Sequence, residues 1–235
     1  MAKILFSTLT HGNEIIGLDV VKKIKKIERL GDKFDYIISN SLAFSNNSRY
    51  VDSDLNRIFP GNDQGNYEEQ RAVEIINIGK KYDYVIDLHG SVSNTGVFII
   101  ITKLNIENLL LALRFNIKRI VIWLDTEETK GSLSTFMPIG IEIESGFKND
   151  FEVYQELKDK LITFLERDAP INLEDELRKR DIFWVDGSLS KKNKKFRGLK
   201  NWKKIKDFYP LFVDGQYENI WCYKLKKVNL KIKQN

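Results

Sequence analysis

Short apolar runs alternate with stretches of helical periodicity over the first 167 residues of the chain. The runs that predict buried strands are residues 3–9, 34–40, 82–88, 96–102, 118–124 and 138–144. Apolar residues at helical spacing predict helices over residues 14–31, 67–81, 105–115 and 151–167. Because the strands are almost wholly apolar and alternate with helices, the pattern predicts an α/β domain around a largely parallel sheet.

The pattern changes beyond Asp168. Short runs that carry Trp and Tyr replace the alternation, and Asp214-Gly215 is typical of a hairpin turn between two apolar segments. We therefore predict a catalytic α/β domain over residues 1–168 and a small β-rich domain over residues 169–235. Trp184, Trp202 and Trp221 are then expected in the core of the small domain.

Composition narrows the chemistry that this chain can perform. A single cysteine excludes an internal disulfide, a Cys-rich zinc ribbon and an iron–sulfur cluster. The chain has only two histidines, His11 and His89, so any histidine-based metal or acid–base chemistry must use them. No segment approaches the roughly 18 apolar residues of a membrane span, and the N-terminus lacks the pattern of a signal peptide. These features predict a cytoplasmic protein that does not associate with membranes.

Both histidines follow predicted strands. His11 lies just after the first strand, and Glu14, three residues on, shares a helix face with it. His89 ends another strand, and ligand sites of open α/β sheets lie at the carboxyl ends of strands. Two histidines and a glutamate leave the fourth position of a zinc ion open, which is typical of a catalytic site. Asp87 is either a carboxylate that orients an imidazole or an ordinary solvated strand-end charge.

Four motifs occur in an order that resembles a known family. They are THGNE (10–14), RYVDSDLNRIFPG (49–61), DLHG (87–90) and PIGIEIESG (138–146). Together they resemble the aspartoacylase/succinylglutamate desuccinylase family, which belongs to the wider zinc carboxypeptidase-like group. A further segment, YPLFVDGQY (209–217), resembles the C-terminal part of that family. The resemblance implies a three-layer α/β domain with a mostly parallel mixed sheet.

The resemblance also implies the roles of the catalytic residues. His11, Glu14 and His89 correspond to the ligands of one Zn²⁺ per chain. Glu142 corresponds to the carboxylate that deprotonates the zinc-bound water and then protonates the leaving amine. Arg49 corresponds to the arginine that polarises the scissile carbonyl and stabilises the oxyanion. Glu142 and Glu144 lie on the same face of one strand, so periodicity does not choose between them; only the family pattern Gly-Ile-Glu selects Glu142.

Substrate-binding residues follow from the same resemblance. Asn56 and Arg57 correspond to the pair that binds the substrate carboxylate, and Tyr217 to a substrate-binding tyrosine. Where the animal aspartoacylases carry a further arginine, this chain has Ser132, and Lys130 is the neighbouring cation that could replace it.

Arg49 and Arg57 agree with an anionic substrate on physical grounds, because a guanidinium makes two parallel hydrogen bonds to a carboxylate. The alternative is that they pair with Asp52 and Asp54 and only order the loop over residues 44–66, which is polar and predicted to be irregular.

The Lys-rich stretch over residues 191–206 has three interpretations. Basic residues beside Phe196 and Trp202 are typical of single-stranded nucleic-acid binding, which is the least favoured reading of this chain. The stretch is otherwise a solvated surface loop. It could also steer an anionic substrate toward the cleft, since the chain carries a net charge of +5.

The function predicted from these observations is a zinc-dependent hydrolase that cleaves the amide bond of an N-acyl amino acid or a related small carboxylate. The alternatives are a zinc carboxypeptidase-type peptidase and a non-catalytic nucleic-acid-binding protein. The acyl group and the amino acid stay open, and the ligand set also accepts cobalt or other divalent ions. The oligomeric state is open, with a homodimer as the candidate assembly.

Overall fold

The computed structural model describes residues 2–124, 126–167, 169–192, 198–215, 217 and 219–230. The described residues form nine strands: β1 (Ile4–Thr8), β2 (Asp35–Ile38), β3 (Tyr84–Ser91), β4 (Gly96–Ile101), β5 (Arg119–Ile122), β6 (Gly140–Gly146), β7 (Asp181–Ser190), β8 (Tyr209–Leu211) and β9 (Ile220–Val228). The helices are α1 (Ile16–Lys25), α2 (Glu28–Gly31), α3 (Ser41–Ser45), α4 (Leu55–Ile58), α5 (Tyr67–Gly79), α6 (Ile106–Arg114), α7 (Leu133–Phe136), α8 (Phe151–Glu166) and α9 (Leu173–Arg178).

All of these strands belong to one sheet, in the order β2-β1-β3-β6-β4-β5-β7-β9-β8. Neighbouring strands from β2 to β6 are parallel, as are β4 with β5 and β5 with β7. The pairs β4–β6, β7–β9 and β8–β9 are antiparallel. The mostly parallel mixed sheet predicted from the motifs is therefore confirmed.

Alternation along the strands divides the core into two layers. In β3, Ile86 and Leu88 face the layer that α1, α6 and α8 cover, where they pack with residues such as Val20 and Leu157. Val85 faces the opposite layer, which α4, α5 and α7 cover. Because both faces of the sheet are covered, the strands are apolar almost throughout, as the sequence pattern indicated.

Capping residues fix where several helices begin. Asn66 and Glu69 form a reciprocal capping box at the start of α5. The predicted helix over residues 14–31 is divided into α1 and α2, because Ile27 adopts an extended conformation between them. The polar loop over residues 44–66 includes the short helix α4, and the Asp54 carboxylate caps it by accepting from the Asn56 amide N–H.

The C-terminal strands extend the main sheet through the β5–β7 pair. Trp202 packs against Phe98 of β4 and Phe183 of β7, and its indole N–H donates to the Thr95 carbonyl at 2.7 Å. Trp184 lies on the opposite face of β7 from Phe183 and is 39% exposed, so it is not a core residue. The division into two domains near residue 168 stays a prediction.

The Lys-rich stretch is only partly described, since residues 193–197, Phe196 among them, lie outside the described residues. In its described part, Leu199 is buried and Ile205 packs against the same small cluster beside β9. The apolar side chains that the structure describes in this stretch are therefore packed against the protein and are not presented to solvent. Over the part of the chain that the structure describes, no helix combines the length and the apolarity that a bilayer crossing needs.

We expect Gly17→Ala to destabilise the fold. A Cβ at Gly17 would lie 2.7 Å from the Leu88 Cβ, so α1 would have to move away from β3. Such overpacking costs about 1–3 kcal/mol, more than the roughly 1 kcal/mol that alanine gains in a helix. Urea unfolding measures the change in free energy.

Gly79→Ala is the matched control for Gly17→Ala, because Gly79 is also helical. The nearest obstacle to its Cβ is the Met137 sulfur, at the flexible end of a side chain. Equal losses of stability in the two variants would contradict the close α1–β3 contact as the cause.

Candidate active site

Parallel pairing brings three strand ends to one edge of the sheet. β3 lies between β1 and β6, and both neighbours run parallel to it. His11 follows β1 directly, while His89 and Glu144 are register partners on β3 and β6. The turn between β1 and α1, in which the Glu14 amide N–H donates to the His11 carbonyl, adds Glu14 to the same edge.

His11, Glu14 and His89 form a buried cluster whose candidate ligand atoms all lie within 4.8 Å of one another. Glu14 is central to it. One carboxylate oxygen lies 2.9 Å from His11 Nδ1, and the other lies 3.2 Å from His89 Nδ1. The Gly90 amide N–H also donates to Glu14 at 3.0 Å and fixes the orientation of the carboxylate.

The remaining ring nitrogens contact two further carboxylates. His11 Nε2 lies 3.0 Å from Asp54, and His89 Nε2 lies 3.0 Å from Asp87. A carboxylate accepts hydrogen bonds, so each Nε2 carries the hydrogen and a neutral ring presents its Nδ1 lone pair to Glu14. Two lone pairs at these distances repel unless a proton or a cation lies between them.

The donor set therefore fits a divalent metal ion. Two imidazole nitrogens and one carboxylate are the ligands that zinc takes in catalytic sites, with a further position left for water or substrate. Asp54 and Asp87 supply the carboxylate partners that orient metal-binding imidazoles in such sites. Asp87 is fully buried and also accepts from Thr10, so it is not the solvated charge of the alternative reading.

The charges of the cluster depend on one another. Burial alone would lower the pKa of His89, but the Asp87 and Glu14 carboxylates outweigh it and raise that pKa well above its ordinary value. Burial opposes ionisation of Glu14, yet His11 and His89 hold its pKa well below the usual range. The pKa of Asp54 is lowered in the same way, because its contact with His11 outweighs burial. The cluster is thus built to hold ionised carboxylates around positive charge.

Arg49 extends the cluster toward the cavity. Its guanidinium donates to Asp54 at 3.1 and 3.2 Å and approaches Glu14 at 3.4 Å. The pairing of Arg49 with Asp54 that the loop-ordering alternative required is therefore present. It places Arg49 next to the predicted ligands, so ordering of the loop and a role in the site are compatible.

Asn56 and Arg57 are held by the segment that precedes α7. A Cβ at Gly131 would lie 1.9 Å from the Arg57 carbonyl oxygen, so only glycine permits this approach. The Asn56 side-chain oxygen accepts from the Leu133 amide N–H at 3.3 Å. No described carboxylate lies within ion-pair distance of Arg57, which leaves its guanidinium available to an anion.

Glu142 and Glu144 lie two residues apart on β6. Glu144 is the register partner of His89, whereas Glu142 is the register partner of Asp87, one step farther from the strand ends. Burial raises the pKa of Glu144 to about 7, with His89 opposing and the Glu14 carboxylate adding to the shift. Glu142 accepts a hydrogen bond from the Ser134 hydroxyl at 2.9 Å. The assignment of Glu142 as the catalytic carboxylate stays a prediction, with Glu144 as the alternative on the same strand.

These groups line one cavity of about 520 Å³. Tyr217 lies in its wall and packs edge-on against Tyr223. Residues that the sequence did not single out complete the wall: Ile100, Trp123, Glu128, Lys148 and Ile220. Ile220 begins β9, far from the motifs, and carries no local signal of a site.

Lys130 is not brought into this cavity. Its side chain is exposed, and its ammonium group pairs with the Glu127 carboxylate, three residues earlier in the same loop, at 2.7 Å. The neighbouring Thr129 lines the cavity instead, and Ser132 is fully buried and donates to the Thr129 carbonyl. The predicted substitution of Lys130 for the missing arginine therefore has no support in the geometry.

Comparison with known proteins gives one family. The model of the succinylglutamate desuccinylase/aspartoacylase catalytic domain matches residues 1–146. A probable aspartoacylase of Prochlorococcus marinus subsp. pastoris is 30% identical over 247 residues, which cover 91% of this chain and 82% of that protein. A probable aspartoacylase of Trichodesmium erythraeum is 34% identical over 117 residues, which cover 44% of this chain and 40% of that protein.

Solved structures share the fold. Succinylglutamate desuccinylase from Chromobacterium violaceum superposes with a TM-score of 0.75 at 19% identity and covers 97% of this chain and 85% of its own. Murine aminoacylase 3 superposes with a TM-score of 0.71 at 18% identity and covers 97% of this chain and 95% of its own. At these identities the likeness establishes the architecture alone.

We expect Asp87→Asn to weaken metal binding. The neutral amide would hold the His89 ring less firmly and make its Nδ1 a poorer ligand, and loss of such a partner typically costs 10–100-fold in affinity. Competition with a chelator measures the dissociation constant for Zn²⁺. Asp52→Asn is the control, since the Asp52 side chain is exposed in the loop over residues 44–66 and its one described hydrogen bond is accepted from the Tyr67 amide N–H at 3.4 Å. Equal affinity of both variants would contradict the role of Asp87.

Proposed function

The chain belongs to the succinylglutamate desuccinylase/aspartoacylase family, and on this premise we propose that it is a zinc-dependent hydrolase that cleaves the amide bond of an N-acyl amino acid. The observation that carries the proposal is the buried His11, Glu14 and His89 cluster, which opens into the same cavity as Glu142 and Arg57. The three ligand atoms, a carboxylate and a guanidinium without a described carboxylate partner are the groups that this reaction needs.

A divalent ion held by these three ligands would polarise the scissile carbonyl and lower the pKa of a bound water toward ~7. Glu142 is the general base for that water in this proposal, as the family motif implies. Its carboxylate lines the cavity and is oriented by the Ser134 hydroxyl, which donates to it at 2.9 Å, so it can take a proton from water and later give it to the leaving amine. Glu144, the register partner of His89, lines the same cavity and is the alternative base.

Arg49 stabilises the oxyanion that forms when water attacks. Its guanidinium is already fixed by Asp54 and lies next to Glu14, so it needs little reorganisation during the reaction. Removal of one such preorganised donor typically costs about 3–4 kcal/mol of transition-state stabilisation.

Asn56 and Arg57 bind the carboxylate of the amino acid in this proposal. Arg57 is the cavity guanidinium without a described carboxylate partner, and Asn56 is buried and oriented by the Leu133 amide N–H. Tyr217 is distant from these residues in the sequence but lines the same cavity, where it can contact the bound substrate.

Cavity size favours a small substrate over a peptide. The C-terminal residues Phe212, Tyr217 and Tyr223 form part of the wall and narrow the cavity to a volume of about 520 Å³. A zinc peptidase would need an open groove for the chain that precedes the cleaved bond. N-acyl amino acids are therefore the first substrates to test.

Hydrolysis is tested with metal-loaded protein and a panel of N-acetyl and N-succinyl amino acids beside short peptides, with amine release as the measurement. We expect turnover of at least one acyl amino acid and not of the peptides. Cleavage confined to peptides would replace the proposal by the peptidase alternative.

Two glutamine variants decide which glutamate is the base. Glu142→Gln removes the proton acceptor and is expected to lower kcat by about 10²–10⁴-fold while Zn²⁺ stays bound. Glu144→Gln changes the same side-chain type two residues later on the same strand and is expected to retain turnover. Loss of turnover in Glu144→Gln with retention in Glu142→Gln would reverse the assignment.

A further inference from the structure

Glu128 places an acidic group in a part of the cavity wall that the proposed reaction does not use. It lies in the segment that precedes α7, is half-buried and lines the cavity. Its one described hydrogen bond comes from the Tyr223 hydroxyl, which donates to Glu128 Oε1 at 2.9 Å. No lysine, arginine or histidine of the described residues lies within ion-pair distance of this carboxylate. By contrast, imidazole partners are present for the carboxylates around the predicted ligands, Glu14, Asp54 and Asp87.

No positive charge from the same segment compensates the Glu128 carboxylate. Lys130 is exposed and pairs with Glu127, and Ser132 is fully buried. Residues 126–132 therefore present an acid, and not a base, to the cavity. A carboxylate held partly away from water without a cationic partner is costly, and a ligand with a positive charge relieves that cost.

Four aromatic side chains form an aromatic wall beside Glu128. Their ring centroids lie 4.4 to 6.3 Å apart around a closed order, which runs Trp123, Tyr223, Tyr217, Phe212 and back to Trp123. All four rings line the same cavity as Glu128. The face of an aromatic ring attracts a cation, and cages of such rings bind ammonium groups through this attraction. A carboxylate and aromatic rings in one wall therefore favour an organic cation over an anion or an apolar group.

The aromatic wall lies in the electrostatic field of both Glu128 and Arg57. Burial raises the pKa of Tyr217 and of Tyr223, the Glu128 carboxylate raises both pKa values further, and the Arg57 guanidinium lowers both. This region of the cavity therefore holds a carboxylate without a described cationic partner and a guanidinium without a described carboxylate partner. A ligand that carries both a cationic and an anionic group matches these charges.

We propose that Glu128 is a specificity-determining residue and that, together with the aromatic wall, it binds the ammonium or guanidinium group of a basic amino acid side chain. The preferred substrates are then Nα-acyl derivatives of lysine, ornithine or arginine. This inference rests on the proposed function and adds the class of amino acid. Glu142 and the three predicted metal ligands keep the roles given to them above.

Ligand binding is tested by calorimetry on metal-loaded Glu142→Gln protein, which is expected to turn the ligands over too slowly to consume them. The ligands are the Nα-acetyl and Nα-succinyl derivatives of lysine, arginine, norleucine, phenylalanine and aspartate. Norleucine is the matched ligand for lysine, since it keeps the methylene chain and lacks the ammonium group. A hydrogen bond to a charged group corresponds to an affinity difference of about 10–100-fold, so the lysine derivative should bind that much more tightly than the norleucine derivative.

Glu128→Gln in the same background should lose most of this preference, because the amide keeps the shape of the side chain and lacks its charge. Glu127→Gln is the matched control, since this adjacent glutamate is exposed and pairs with Lys130, and it should keep the preference. Tyr223→Phe removes only the hydroxyl that orients Glu128 and should weaken the preference less. In protein with Glu142 intact, Glu128→Gln should raise KM for the lysine derivative and leave kcat and the KM of the norleucine derivative unchanged, which a merely structural residue would not do. Metal content and thermal unfolding establish that each variant is folded.

The outcomes separate this inference from the proposed function. A preference for basic ligands that Glu128→Gln abolishes, without turnover by the wild-type protein, would support the role of Glu128 and remove the hydrolase proposal. Equal binding of the lysine and norleucine derivatives, with turnover of either, would overturn the inference and keep the hydrolase. Tightest binding of the phenylalanine or the aspartate derivative would also overturn it, since the wall would then select an aromatic or an acidic side chain. Failure of all ligands to bind would overturn the inference.

Discussion

The parallel register of β1, β3 and β6 is the constraint on which the site depends. It pairs Asp87 with Glu142 and His89 with Glu144, so these polar side chains share one face. The alternate residues, Ile86, Leu88 and Ile143 among them, belong to the apolar layer under α1 and α8. A slip of one residue would turn the acids into that layer and the aliphatic side chains into the cavity. The burial of apolar residues on one face of the sheet therefore fixes the positions of the acidic and imidazole side chains on the other face.

The site concentrates acidic groups where water is scarce, and its stability depends on positive charge. Glu14 bridges two imidazoles, and Asp54 and Asp87 hold the far side of each ring. Without a cation between Glu14 and the rings, protons must take that place, as the raised pKa of His89 indicates. A metal ion bound there would release protons and stabilise the native state, because the unfolded chain has no such arrangement. Folding of this edge of the sheet and binding of the ion would then be two parts of one equilibrium.

Local pattern was sufficient for the strands, for most of the helices and for the positions of the three predicted ligands, which the structure brings together. It failed where the answer depends on pairing between distant segments. The dipeptide Ile-Glu occurs twice in GIEIESG, and only the pairing of β6 with β3 shows which glutamate stands beside His89. Lys130 has the required charge, but a local contact with Glu127 turns it outward. In the aromatic wall, Phe212 belongs to the segment YPLFVDGQY, whereas Tyr223 comes from β9, which joins the sheet through long-range pairing and carries no short motif.

Two glutamates of identical chemistry acquire different properties because their neighbours differ. They are two residues apart, or roughly 7 Å along a strand. Glu144 is paired in register with His89, and burial raises its pKa to about 7. Glu142 is paired with Asp87 and Ile100 and accepts a hydrogen bond from the Ser134 hydroxyl, which fixes its carboxylate in the wall of the cavity. Strand pairing and a single hydroxyl group thus distinguish two side chains that the alternation of the strand alone leaves equivalent.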